Sequence, residues 1–139
     1  IVDGTVDVIS TDHAPHHYDE KNVEFDRAPV GIVGLETAVS ITLDALVHTG
    51  RISLSRMVEL MSVNPAKILR VPGGALSPGA AADITILAPD LKVTIDRAKL
   101  ISKSKNTPYH GWSCKGGVAA TIVGGKTVYS NPESGPFQE

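Results

Sequence analysis

Apolar residues at Val2, Val6, Val8 and Ile9 are set around Asp3 and Asp7, and the Val8-Ile9 pair is apolar on both faces. That is the pattern of a strand buried on both sides in a parallel sheet. Parallel neighbours need crossover connections of about a dozen or more residues, yet no second strand of this type occurs in the following stretch of roughly seventy residues. The pattern therefore predicts that its partners lie upstream of Ile1. The polar stretch from Thr11 to Pro29, which carries His13, His16 and His17, is too long and irregular for a simple connection. Loops of that length are usually functional.

Helical spacing follows. Gly34 opens a stretch in which Leu35, Val39, Leu43 and Leu46 share one face, with Gly50 as the stop. Ser53 reads as the N-cap of a second helix whose apolar stripe is Leu54, Met57, Val58 and Met61, although Arg56 at the third position denies it a full capping box. Asn64-Pro65 restarts a short helical turn, and Pro72-Gly73-Gly74 ends it. From about Ala75 the pattern turns to β. Ala82 to Leu87 and Lys92 to Ile95 read as short strands, and Val118 to Val123, Gly124-Gly125 and Lys126 to Tyr129 form a hairpin with a two-residue turn. These few strands offer little apolar surface, so they are expected to complete a sheet begun elsewhere. The division expected is 1–74 as the end of a barrel with its active-site loop and 75–139 as the terminal strands of a small β domain.

Composition adds mainly exclusions. The 139 residues are 42% apolar, 20% charged and 4% aromatic, as in an ordinary globular unit, and 13 Gly with 9 Pro show no triplet period. Thirteen basic against 15 acidic side chains leave a net charge of −2 with no basic cluster, so nucleic-acid binding is not expected. No apolar run approaches the roughly 18 residues of a membrane span, so no membrane role is expected either. Cys114 is the single cysteine, which excludes an intrachain disulfide and a multi-cysteine zinc site and fits a reducing, cytoplasmic setting. The start at Ile1, with neither Met nor a leader pattern, reads as a piece of something longer.

The chemistry concentrates in Ser10-Thr11-Asp12-His13-Ala14-Pro15-His16-His17, directly after the predicted strand. Barrel enzymes place catalytic groups at the carboxyl ends of their strands, where the loops converge on one mouth. Spacing alone leaves two readings open: a site, or a turn-forming Asp12 with solvated His16 and His17. His13 reads as structural or solvent-facing. His48 reads as a favourable charge near a helix carboxyl end, Trp112 beside His110 as a core anchor, and Cys114 carries no nucleophile signature.

The residues themselves resemble a family. Thr11-Asp12-His13-Ala14-Pro15-His16, Glu20-Lys21 and Ala28-Pro29-Val30-Gly31-Ile32-Val33-Gly34-Leu35-Glu36-Thr37 are similar to the last barrel strand, loop and helix of the dihydroorotases of the amidohydrolase superfamily, in their longer bacterial form. Ser62-Val63-Asn64-Pro65-Ala66, Gly79 through Ala82-Asp83-Ile84-Thr85, Asn106-Thr107-Pro108, Gly111-Trp112 and the hairpin continue the match over essentially the whole chain. The Ala-Asp-Ile-Thr stretch is shared with hydantoinases and allantoinases. The resemblance implies an α/β fold: the last unit of a TIM-like (β/α)8 metal-dependent hydrolase barrel plus the strands of a small β-sandwich. It implies reversible closure of N-carbamoyl-L-aspartate to dihydroorotate in pyrimidine synthesis, with one or two Zn2+ ions and a bridging hydroxide attacking the cyclic amide.

Residue by residue, the resemblance makes Asp12 a metal ligand and proton shuttle, and His16 a donor to the substrate's free carboxylate. It makes Val30 and Gly31 the pair whose backbone meets the substrate ring, with Val30 departing from the Phe often found there. The family's His-x-His metal ligands, from its first barrel strand, do not occur in this sequence; later strands of the family supply a carboxylated Lys or its substitute and further His, and an Arg and Asn elsewhere help bind the carboxylate. The 139 residues alone are therefore expected to be inactive. Two alternatives stand beside this: a hydantoinase- or allantoinase-like amidohydrolase, and a non-catalytic scaffold subunit for aspartate transcarbamoylase. Expected partners are the small-molecule substrate, with aspartate transcarbamoylase or further copies of the chain as candidates.

Overall fold

The computed structural model describes residues 1–135. Four short α-helices precede a three-stranded sheet: α1 (Tyr18–Lys21), α2 (Ala38–Thr42), α3 (Leu54–Val58), α4 (Asn64–Leu69), β1 (Ile84–Thr94), β2 (Ser113–Val123) and β3 (Lys126–Ser130). Both longer helical runs widen through a π turn, at Leu43–Val47 after α2 and at Glu59–Val63 after α3. The second has a visible cause. Pro65 has no N–H to continue the α ladder, and the Asn64 N–H just before it reaches back five residues to the Glu59 carbonyl. Asn64-Pro65 thus continues one helical run from Leu54 to Leu69 instead of starting a new one, and Arg70 ends it in the left-handed conformation (φ 54°) before Pro72 is reached.

The Ser53 N-cap forms as predicted, its side chain accepting from the Arg56 N–H. The expected apolar stripes hold in part, with Leu43 and Met57 buried and Val39, Leu46 and Met61 packed against them. Leu35, Leu54 and Val58 are exposed, whereas Leu43, Ile52, Met57 and Leu60 form the buried core, with Leu43 and Leu60 fully enclosed. Leu35 fails because the helix begins only at Ala38. Leu60, unread in the sequence pattern, is turned inward within the wide π turn.

Val2 to Ser10 is not a strand among the described residues. A strand exists only through hydrogen bonds to a neighbour, and this segment is instead tied to the helical run. The Ile9 N–H donates to the Leu60 carbonyl at 3.0 Å, Arg56 Nη2 to the Val6 carbonyl and Asn64 Nδ2 to the Asp7 carbonyl. Ile1 and Ile9 pack against the core, while Val2 and Val6 are exposed.

In the sheet, β2 lies between β1 and β3, all antiparallel. The two short strands expected at Ala82 to Leu87 and Lys92 to Ile95 are one strand, interrupted by a bulge between Ala88 and Lys92 that holds Pro89. A bulge is where a sheet tolerates proline. The hairpin forms as predicted, with Gly124 (φ 56°) and Gly125 (φ 77°) supplying the two positive dihedrals of a type I′ turn. Helix and sheet meet closely at Gly116 (φ 109°), where a Cβ would stand 2.7 Å from Leu43 Cβ and Cδ1. Lys115 N–H donates to Asp44 Oδ1 at 2.8 Å, and the His48 ring lies 2.7 Å from the Pro89 carbonyl, so three neighbouring contacts fasten the first helical run to the sheet. No helix is long and apolar enough to cross a membrane among the described residues.

Candidate active site

The Thr11 to Pro29 loop is held by its neighbours at several points. His13 forms a parallel bridge with Ile32, and the Ala14 N–H donates to the Ile32 carbonyl at 2.8 Å. The His13 ring serves this framework, with Nδ1 accepting from the Gly34 N–H at 3.1 Å. His17 caps α1, its Nδ1 accepting from the Asp19 N–H while Glu20 returns a bond to the His17 N–H.

Between these anchors, the structure brings together His16, Val30 and Gly31. His16 Nε2 lies 3.0 Å from the Val30 carbonyl, and Nδ1 faces Glu20 Oε2 at 3.4 Å. Each nitrogen thus looks at an acceptor, and a neutral imidazole can donate to only one of them. Gly31 adopts φ 116°, and a Cβ there would sit 2.5 Å from Ala14 Cβ. Only glycine reaches that conformation and that proximity without displacement. The Gly31 carbonyl accepts from Lys21 Nζ at 3.3 Å, which also holds the Pro29 carbonyl at 2.7 Å. Val30 points its side chain to the surface, 91% exposed.

Asp12 stands four residues before His16, exposed, in a left-handed conformation (φ 44°). Asp tolerates this region better than most residues, at a cost of about 1 kcal/mol, and residues kept in such conformations cluster at functional sites. Zinc takes three or four protein ligands. Among the described residues no three His, Cys, Asp or Glu side chains converge to hold a metal ion, so Asp12 supplies at most one donor and this chain's own donor set does not make a metal centre.

A cleft of about 720 Å³ opens at His16, lined also by Lys21, Arg97, Lys103, Ser104, Lys105 and Asn106 among others. Asp12, Val30 and Gly31 do not line it. Sequence reasoning missed Ser104 and Asn106, which reach back across 75 to 92 positions: Ser104 Oγ lies 2.7 Å from the His16 carbonyl, and Asn106 Nδ2 donates to the Ala14 and Gly31 carbonyls at 3.1 Å each. The Asn106-Thr107-Pro108 motif was the available signal, but nothing in its spacing tells which loop it touches.

Of the remaining candidates, His110 accepts from the Arg97 N–H, and Trp112 is half exposed against the edge of Tyr109, with ring centroids 5.1 Å apart, so it is not a core anchor. Cys114 is buried, and burial together with the Asp44 carboxylate pushes its thiol pKa up. That disfavours the nucleophilic thiolate.

Residues 1–128 match the Amidohydrolase family. Among curated relatives, a dihydroorotase from Geobacter metallireducens is 55% identical over 91% of this chain, and one from Pelotomaculum thermopropionicum 52% identical over 92%. The chain spans 30% of the length of each. Among solved structures, the L-hydantoinase (dihydropyrimidinase) of Arthrobacter aurescens superposes with a TM-score of 0.86 at 32% identity, over 92% of this chain and 30% of that one. The dihydropyrimidinase of Brevibacillus agri gives 0.85 at 25% identity, over 93% and 29%.

Proposed function

The chain belongs to the amidohydrolase family, and from that premise we propose that it is the part of a dihydroorotase that carries the proton-transferring carboxylate and the substrate-carboxylate reader. The observation that carries this reading is the level of identity: 55% to a dihydroorotase, over nearly the same span on which a hydantoinase reaches only 32%. The reaction proposed is the reversible interconversion of N-carbamoyl-L-aspartate and (S)-dihydroorotate in pyrimidine synthesis, in the cytoplasm.

Each residue takes the task that the resemblance implies, and its chemistry suits that task. The Asp12 carboxylate accepts a proton from the attacking water during ring opening and returns it to the departing ring nitrogen. Ring closure runs the same transfers backward. His16 donates a charge-assisted hydrogen bond to the substrate's free carboxylate, for which its Nε2 must leave the Val30 carbonyl it faces. That release frees the Val30 carbonyl beside Gly31 for the polar edge of the substrate ring. Zinc belongs to the same proposal: when bound it would polarise the amide carbonyl, with Asp12 as one donor, since no three ligating side chains converge among the described residues.

The likeness to hydantoinases favours a second reading, a different cyclic amide as substrate. Purified intact protein assayed with N-carbamoyl-L-aspartate, hydantoin, dihydrouracil and allantoin separates the two. A kcat/KM for carbamoyl aspartate at least a hundredfold above the others supports dihydroorotase. Preference for hydantoin or dihydrouracil overturns it, and turnover of none, with aspartate transcarbamoylase co-purifying, favours a scaffold role.

A further inference from the structure

We propose that Asn106, with Ser104, is a positioning residue of the active site, joining the His16 loop to the Val30-Gly31 segment so that both present their groups to one substrate. This rests on the reading of His16, Val30 and Gly31 as the substrate-binding groups. The Asn106 amide has two hydrogens, and the structure uses them on two different segments: one Nδ2 bond goes to the Ala14 carbonyl and one to the Gly31 carbonyl, each at 3.1 Å. Its Oδ1 meets the Ser104 hydroxyl. That hydroxyl in turn accepts from the His16 N–H at 3.2 Å and lies 2.7 Å from the His16 carbonyl, its single proton placed between that carbonyl and Asn106 Oδ1. The Asn106 backbone carbonyl accepts from the Val33 N–H at 3.0 Å, which seats the residue beside the segment it holds.

Both side chains are partly buried, and the bonds bridge 75 to 92 positions of sequence. Without them the His16 loop would be tied to the Gly31 segment by the bridge at His13 and Ile32, the His13 ring's bond from the Gly34 N–H, the His16 bond to Val30, and Lys21. A lysine on its four-carbon stem is a flexible tether, whereas a planar amide fixes distance and angle to both carbonyls. Misplacement of a binding group by about 1 Å is enough to cost orders of magnitude in rate.

The test uses the intact protein with Asn106→Ala, Asn106→Asp, Ser104→Ala and Ser104→Thr. Asn106→Asp keeps the shape but removes both donors and sets an anion against two carbonyls. Two readouts are taken: KM and kcat for carbamoyl aspartate, and hydrogen exchange at the Ala14 and Val33 amides. The expected result is a rise in KM of about tenfold or more for both Asn106 variants with a smaller change in kcat, and at least tenfold faster exchange at Ala14. Ser104→Ala shifts both readouts in the same direction, and Ser104→Thr, which keeps the hydroxyl, restores them. Unchanged KM and unchanged Ala14 exchange in folded Asn106→Ala and Asn106→Asp would overturn the proposal, as would a loss of thermal stability with KM within twofold of the parent. If the unsubstituted protein turns over no carbamoyl aspartate, the functional reading has failed, and the exchange data alone decide whether Asn106 orders the two segments.

Discussion

Substituting Gly31 by alanine isolates the tightest approach in the site. The added Cβ would stand 2.5 Å from Ala14 Cβ, about 1 Å or more inside the separation at which carbon atoms attract. The backbone compounds this, because φ 116° lies outside the ordinary range of residues with a Cβ and costs about 1–3 kcal/mol to maintain. Relief requires the Gly31 segment to move away from Ala14, and that motion also strains the bonds from Asn106 and Lys21 to the Gly31 carbonyl. The expected outcome in the intact protein is a stability loss of about 2–4 kcal/mol by denaturant titration and a KM raised by about ten- to a hundredfold. The double substitution Gly31→Ala with Ala14→Gly removes the collision and leaves the dihedral strain. It should recover part of the KM defect but little of the strain, giving a coupling of about 1 kcal/mol in the double-mutant cycle. Wild-type stability and KM in Gly31→Ala would refute the reasoning, and zero coupling would show that Ala14 is not the obstacle.

Asp12→Asn should leave substrate binding close to normal and lower kcat by at least about a thousandfold, since an amide cannot carry the proton; near-normal turnover would remove Asp12 from the reaction. His16→Ala should raise KM by about tenfold through loss of one charged hydrogen bond, and an unchanged KM would make His16 a loop residue that merely bonds Val30. Leu43→Ala should cost about 2–5 kcal/mol in denaturant titration, because Leu43 is fully enclosed and Gly116 packs on it too closely for the gap to close freely. For Cys114, burial and Asp44 raise the thiol pKa, so alkylation of native protein should set in at higher pH than for a free thiol of about 8.5. The same shift makes native stability fall as pH rises past the free-thiol value, where the unfolded chain ionises first; alkylation at the rate and pH of a free cysteine would contradict both.

Local chemistry in the sequence was sufficient wherever one residue and its near neighbours decide the outcome. Ser53 as a cap, Gly124-Gly125 as a hairpin turn and Gly50 as a stop depend only on backbone preferences within a few positions, and each stands where the pattern puts it. The string from Thr11 to His16 was equally legible, because a carboxylate and imidazoles in a long polar loop are unusual in themselves. The resemblance of that string to the dihydroorotases was also a property of sequence alone.

Tertiary structure decided the rest. Whether Val2 to Ser10 is a strand depends on a neighbour to pair with, and here the Val6 and Asp7 carbonyls and the Ile9 N–H bond to Arg56, Asn64 and Leu60. Which apolar residues face inward depended on where α2 begins and on the wide turn before Pro65, so Leu60 is buried and Leu35 is not. The reach of Asn106 across to Ala14 and Gly31 is likewise invisible in a linear pattern, since these hydrogen bonds are made by groups 92 and 75 positions apart. The sequence by itself determined which chemical groups this protein carries and where its chain turns; folding decided which of those groups share a surface, because packing and hydrogen-bond pairing act on distance in space.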